Sequence, residues 1–434
     1  MCYSQLENCT KWQFENIPEF SRGVLDPFFY DCGAGLDSLP DTESTDRSFM
    51  HTFKEVAAAD VRAYIAELEN AGLQPLFGNE IDGSIFAQFR CSEGLFNLTY
   101  FGGTGVFRTV LDRCVTTPAA EFGYDRYDDV CGDTVFAQYS LHYDAMIRGT
   151  TCDCGMNYVY RLRDNSLVII DGGEMEQSTD IAVADYLEFL HTLTGTSAGE
   201  KMRVSLWFCT HPHNDHCDFM SKLMRFHSDE IEIERAAFNF CFSGNTKHSP
   251  AVLLARQRLL EKYPNVSYIK PHAGNKFSIA NAEFEILVSS EDTVNVDDED
   301  IIPGTNDTSL VFKVTADGAS ALFLADCAWV NGDVLRLNYS AETLSADFLQ
   351  VAHHGINDLH ELYESIKAKT VLLPQCRMNM DTRFSANLTH LCELYGENNI
   401  LFANDATDIF TLKDGTVTHT ERAHTGTAYD NSEW

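Results

Sequence analysis

Thr210-His211-Pro212-His213-Asn214-Asp215-His216 is the stretch on which the reading of this chain turns. Before it, Val204-Ser205-Leu206-Trp207-Phe208 is an apolar run of strand length, and after it residues 219–224 read as the start of a helix. His211 and His213, two residues apart on a turn, can aim both imidazoles at one ion, and Asp215 and His216 can serve a second ion beside it. This mixture of imidazole and carboxylate suits borderline metals such as zinc. The plain alternative is a surface loop that happens to be rich in histidine. The order of strand, ligand turn and helix argues against it.

Working outward, three further blocks supply what this turn lacks. Residues 321–326 form an apolar run that ends in the carboxylate of Asp326. Residues 347–352 read as a strand that delivers His353-His354-Gly355, and Asn306 to Phe312 reads as the beginning of another. Upstream, Asn157-Tyr158 and Ile170-Asp171-Gly172-Gly173 bracket a hairpin. A lone aspartate at a strand end is usually a turn residue, and a lone pair of histidines usually a capped strand end. Together with the 210–216 turn they read as parts of one site.

These blocks resemble the metallo-β-lactamase fold hydrolases, whose signature has the form H-x-H-x-D-H. The resemblance implies an α/β chain folded as an αββα sandwich over residues 135–420, roughly two-thirds of the length, with two divalent metal ions at one end. It implies zinc, with manganese or iron as alternatives. Asp326 is similar to the family's bridging aspartate, and Asp171 to one that supports a ligand without binding metal. His353-His354-Gly355 and Asn306 to Val311 resemble the branch holding the DNA-uptake competence hydrolase domain and phosphorylcholine esterases. One departure is Cys217-Asp218-Phe219, where many members place a small residue or glycine.

The expected ligands are therefore His211, His213, Asp215, His216, Asp326 and His353, with His272 as the third histidine of the first ion and His248 as its competitor. His354 is expected to face the substrate as a proton donor or phosphate contact, because a strand sends successive side chains to opposite faces. The expected chemistry is hydrolysis by a hydroxide bridging the two ions and oriented by Asp215. The His-His-Gly resemblance favours a small phosphodiester. Carboxylic esters, thioesters or lactones, and a non-catalytic binding protein that keeps the fold, stay open. A flavin-linked diiron oxidoreductase would need a flavin domain, and residues 1–133 show no Gly-rich nucleotide loop.

Length and composition bound these readings. A chain of 434 residues suggests two units, a segment of 1–133 with a small α+β unit and a hydrolase domain of 134–434. In the first, Val61, Tyr64, Ile65 and Leu68 mark an amphipathic helix closed by Gly72, and residues 84–90, 95–101 and 106–111 read as strands. With 31 basic against 65 acidic residues the formal net charge is −34, which repels phosphate backbones and argues against nucleic acid as partner. A small molecule is the expected partner, and a homo-oligomer is left open. Fourteen cysteines without a signal-like start fit reduced thiols and a cytoplasmic location. No apolar run approaches the roughly 18 residues that a membrane span needs. Cys152-Asp153-Cys154 reads as ordinary thiols, and the acidic run 292–300 lacks the spacing of a calcium loop.

Overall fold

Two β-sheets face each other across a layer of aromatic side chains, and helices cover both outer faces. The computed structural model describes residues 12, 14–25, 30–34, 47–113, 116–141, 155–173, 180–197, 199–239, 250–293, 305–403 and 406–423. The first sheet runs in the order Ser267–Ile269, Arg235–Ala237, Met202–Phe208, Leu167–Asp171, Asn157–Arg161, Thr134–Gln138, Thr407–Lys413 and Thr416–Arg422, with Ile231–Ile233 also beside Met202–Phe208. The second runs Lys276–Ile279, Ala282–Val288, Val311–Ala316, Ala319–Phe323, Ala346–Gln350, Ala368–Leu373 and Ile400–Phe402.

Strands covered on both faces must be apolar nearly throughout, and Leu167–Asp171 and Met202–Phe208 are. Phe136, Tyr158 and Phe208 from one sheet meet Phe284, Phe312 and Phe323 from the other. The Phe208 and Phe312 rings stack at 4.1 Å between centroids. Each such side chain contributes roughly 1.5–3 kcal/mol on full burial. Outside, Asp180–Thr194, Asn214–Phe226 and Pro250–Lys262 pack on the first sheet, and Trp329–Asn338, His360–Ser365 and Ser385–Tyr395 on the second. This is the αββα sandwich expected from the sequence.

At one end of each sheet the strands run parallel. Leu167–Asp171, Met202–Phe208, Arg235–Ala237 and Ser267–Ile269 form one parallel set. Ala319–Phe323, Ala346–Gln350 and Ala368–Leu373 belong to the other. Parallel strands release their C-terminal loops at one edge, where α/β folds place their ligands. Asp171 ends such a strand, and the 210–216 turn, Asp326 and the 353–355 turn follow the ends of others.

A third, antiparallel sheet precedes the sandwich. Its order is Val24–Leu25, Arg47–Lys54, Val106–Asp112, Gly94–Phe101, Ser84–Cys91 and Gln74–Ile81, with Tyr30–Ala34 also on Arg47–Lys54. Helix Ala58–Asn70 lays Val61, Tyr64 and Leu68 on it. The sequence shows this helix and three of the strands. Arg47–Lys54 escapes because its polar His51 and Thr52 are buried, and Gln74–Ile81 because it is a half-exposed edge containing Pro75 and Gly78.

This sheet is docked on the sandwich. Phe86 and Phe101 enter the core beneath the outer helices of the second sheet. Gly274 adopts φ +82, and a Cβ there would lie 2.0 Å from Phe86 Cγ, so only glycine lets the two surfaces meet. Beside it lies a buried ion cluster. Asp112 accepts from Lys270 Nζ at 2.9 Å, from His272 Nε2 at 2.7 Å and from Asn97 Nδ2 at 2.8 Å. Glu291 accepts from Asn239 at 2.8 Å and lies 3.0 Å from Lys270 Nζ and 3.6 Å from His272 Nδ1.

The expectation that His272 binds metal is thereby corrected, because both of its ring nitrogens face carboxylates of this cluster. Its burial alone would lower its pKa, but Asp112 and Glu291 outweigh burial and push it up to about 9. Burial would raise Asp112, but Lys270 and His272 bring it down to about 2. A histidine whose folded pKa lies above its unfolded value of about 6.5 contributes its full stabilisation below that pH and loses it as pH rises through about 9. The unfolding free energy of wild type should exceed that of His272→Gln by a few kcal/mol at pH 6, and the gap should shrink by pH 9.5. Urea titrations of both proteins at the two pH values check this, and a gap that does not change with pH refutes it.

Candidate metal centre

The strand Met202–Phe208 ends three residues before His211, and helix Asn214–Phe226 begins directly after His213. The turn between them is held from below by Asp171, whose carboxylate accepts from Thr210 N at 2.8 Å and Thr210 Oγ1 at 2.9 Å. The helix approaches the Asp171-Gly172-Gly173 segment closely. A Cβ on Gly172 would sit 2.3 Å from Met220 Cγ, and Phe219 N donates to Gly173 O at 3.0 Å. That contact presses the first helical turn, carrying Asp215 and His216, toward the ends of the strands.

Two groups of donors result, each with all ligand atoms within 4.8 Å of one another. One holds His211, His213 and Asp326, and the other holds Asp215, His216, Asp326 and His354. Asp326 belongs to both. Its Oδ2 lies 3.4 Å from His211 Nε2, and its Oδ1 lies 3.2 Å from His216 Nε2 and 3.5 Å from His354 Nε2. His354 Nε2 also lies 3.0 Å from Asp215 Oδ2.

The residues fit two cations. His216 Nε2 and Asp326 Oδ1 are buried and have no hydrogen-bond partner although they face each other. Orphaned buried polar atoms are costly unless something unites them, and a cation between two lone-pair donors does. The outer nitrogens of His216 and His354 are already engaged, as ligand imidazoles require. His216 Nδ1 pairs with Asp171 Oδ2 at 2.7 Å, and His354 Nδ1 donates to Pro374 O at 2.9 Å. Burial, reinforced by neighbouring imidazole, holds His211 below its usual pKa and brings His213 down to about 3, so both stay neutral. At Asp326, burial acts upward but the surrounding histidines hold the carboxyl well below its usual range.

The structure places His354, and not the expected His353, in the second donor group. They do not lie on a strand, because Ala346–Gln350 ends before them. Both adopt left-handed backbone, with φ +45 at His353 and +52 at His354, so the alternation of a strand no longer applies. His354 is buried and turned into the second donor group. His353 is 23% exposed at the side-chain level, and its Nε2 lies 3.8 Å from Asp326 Oδ2. Its Nδ1 meets Asn357 Oδ1 at 2.8 Å, and Asn306 Nδ2 lies 3.1 Å from its Nε2. Asn357 Nδ2 donates to Cys327 O, which leaves its oxygen facing the ring.

Of the expected ligands the structure therefore brings together His211, His213, Asp215, His216 and Asp326, adds His354, leaves His353 at the rim, and keeps His272 elsewhere. His248, Cys152 and Cys154 lie outside the described residues, as do residues 294–300 of the acidic run. The support from Thr210, Asn357 and Pro374 was not read from the sequence. Asn357, four residues after His353, carries a weak spacing signal, and a backbone carbonyl such as that of Pro374 carries none.

No family model matches the sequence, and no curated protein matches it. Among solved structures it is similar to CmlA, a diiron β-hydroxylase from Streptomyces venezuelae, at 13% identity over 58% of this chain, with a TM-score of 0.31. The match spans about half of that protein, 47% of its chain. It is similar to human tRNase Z, short form, at 15% identity over 55% of this chain and 90% of that one, with a TM-score of 0.31. A metallo-β-lactamase from Cronobacter sakazakii matches at 12% identity over 55% of this chain and 86% of that one, with a TM-score of 0.28. The fold rests on this chain's own sheets: two facing sheets, helices outside and a histidine–aspartate centre at one edge make a metallo-β-lactamase-like sandwich.

Protein purified without chelator should carry two transition-metal ions per chain by elemental analysis. Asp326→Ala should lose both, since each donor group would lose its shared carboxylate. His354→Ala should retain about one, and His353→Ala should retain two. Metal loss in His353→Ala with full retention in His354→Ala would restore the order expected from the sequence.

Proposed function

We propose that this chain is a dinuclear metal-dependent hydrolase acting on a small phosphodiester. The observation that carries the proposal is Asp326, one buried carboxylate whose two oxygens face two separate groups of ligands. His211 and His213 would hold one ion with it, and Asp215, His216 and His354 the other. When bound, such ions activate water near neutral pH and stabilise the negative charge that develops on the substrate.

The chain's own residues supply orientation and proton transfer. Asp171 and Pro374 O fix the outer nitrogens of His216 and His354, so that each Nε2 points inward. His353 is the mobile-proton group in this reading. With Nδ1–H held by Asn357 Oδ1, its Nε2 is the atom that would take the proton released by the attacking water and give it to the departing alkoxide. Asn306 Nδ2 holds that nitrogen at the rim until substrate arrives.

The acidic balance supports a small substrate, because a formal charge of −34 disfavours a long phosphate backbone. Among the described residues no helix is long and apolar enough to cross a membrane. Zinc-loaded protein should cleave bis-p-nitrophenyl phosphate with a higher kcat/KM than p-nitrophenyl acetate. On a phosphodiester with an unactivated alkyl leaving group, His353→Ala should retain its metals and lose roughly 10²–10⁴-fold in kcat. Preference for the acyl ester would move the assignment to carboxylic esters, and absence of turnover on both by the metal-loaded protein would favour a binding role.

A further inference from the structure

The carboxylate shared by the two donor groups sits on a turn that the backbone does not favour. Strand Ala319–Phe323 pairs with Ala346–Gln350 up to Phe323 and Gln350, and there the ladder stops. The next residues form a turn closed by Cys327 N donating to Leu324 O at 3.0 Å. Within it Ala325 has φ +51, a left-handed conformation that residues with a Cβ rarely adopt. Asp326 follows immediately. Ser309 Oγ accepts from Asp326 N at 3.2 Å, and the remaining control of its direction lies in how firmly the Ala325 peptide is held.

Gln350 holds it. The side chain is 1% exposed, and its Oε1 accepts from Ala325 N at 2.6 Å. Its Nε2 donates to Ala325 O at 3.2 Å and to Val351 O at 2.5 Å. One amide thus grips both polar groups of the left-handed residue, continuing with a side chain the ladder that the backbone has ended. A second grip comes from His353 N, which donates to Ala325 O at 2.9 Å. A side-chain amide offers a donor and an acceptor on separate atoms without a charge, so it can reach both groups of one peptide residue. A carboxylate here would offer acceptors alone and place a second negative charge near Asp326.

We propose that Gln350 is a positioning residue for the metal centre: it clamps Ala325 in the left-handed conformation and so aims the carboxylate of Asp326 at both donor groups. Its side-chain hydrogen bonds all go to backbone groups, so it acts through the backbone. The proposal rests on Asp326 being the shared ligand, and it adds the element that orients it. A purely structural glutamine would stabilise the fold without setting metal affinity.

Zinc affinity, measured by competition with a chelating dye, separates the two roles. The proteins are wild type, Gln350→Met, and Gln350→Met combined with Ala325→Gly, each checked for folding by near-UV circular dichroism and thermal unfolding. Methionine keeps the volume and removes all three hydrogen bonds. Folded Gln350→Met should bind zinc about 10–100-fold more weakly, the range typical of lost outer support for ligands. The double variant should recover most of that loss, because glycine takes positive φ without a clamp. If Gln350→Met does not fold, the double variant decides alone: it should fold and bind zinc within a few-fold of wild type. Wild-type affinity in folded Gln350→Met overturns the proposal, as does a double variant still weakened more than tenfold. Wild type that takes up no zinc overturns the reading of the site itself, and the clamp with it.

Discussion

A carboxylate buried beneath four imidazoles is the interaction on which this structure depends. Asp326 is 1% exposed, and an isolated buried charge costs several kcal/mol after relaxation. His211, His216, His353 and His354 all lie within 3.8 Å of it. The chain gathers this set at one edge by releasing parallel strands there from both sheets, so the aromatic core and the site are linked. The core holds the sheets face to face, and their facing determines that His216 from one sheet and His354 from the other reach the same oxygen of Asp326.

The backbone around the site carries concentrated strain. Asp171, Ala325, His353 and His354 all have positive φ without being glycine. Each lies just beyond, or at the end of, a strand that supplies the site. Such conformations persist only where surrounding contacts impose them. Thr210 and His216 engage the carboxylate of Asp171, and Pro374 engages the ring of His354. The result is a set of side chains whose directions owe more to hydrogen bonds than to the regular geometry of strands.

The preceding antiparallel sheet is tied to the sandwich by apolar and ionic contacts. Phe86 against Gly274 requires close approach, and Asp112 joins Lys270, His272 and Glu291 in a balanced cluster of two acids and two bases. Strand Ser267–Ile269, which delivers Lys270 and His272, runs parallel to the strands that lead into the metal site. The docked sheet therefore meets the sandwich at the edge where the site opens.

The sequence by itself determined the sandwich and most of the centre. Apolar runs of strand length, the spacing of His211, His213, Asp215 and His216, and the strand-end position of Asp326 are local properties, and local patterns survive folding. It did not determine which histidine of the 353–354 pair turns inward. That choice depends on two left-handed residues and on the carbonyl of Pro374, twenty residues further on. Nor did it determine the fate of His272, a histidine at a strand end in the expected interval. Asp112 comes from a different sheet, 160 positions earlier, and its carboxylate claims the ring. Tertiary structure decided these points because a histidine's role is set by what faces its two nitrogens, and those partners are neighbours only in space.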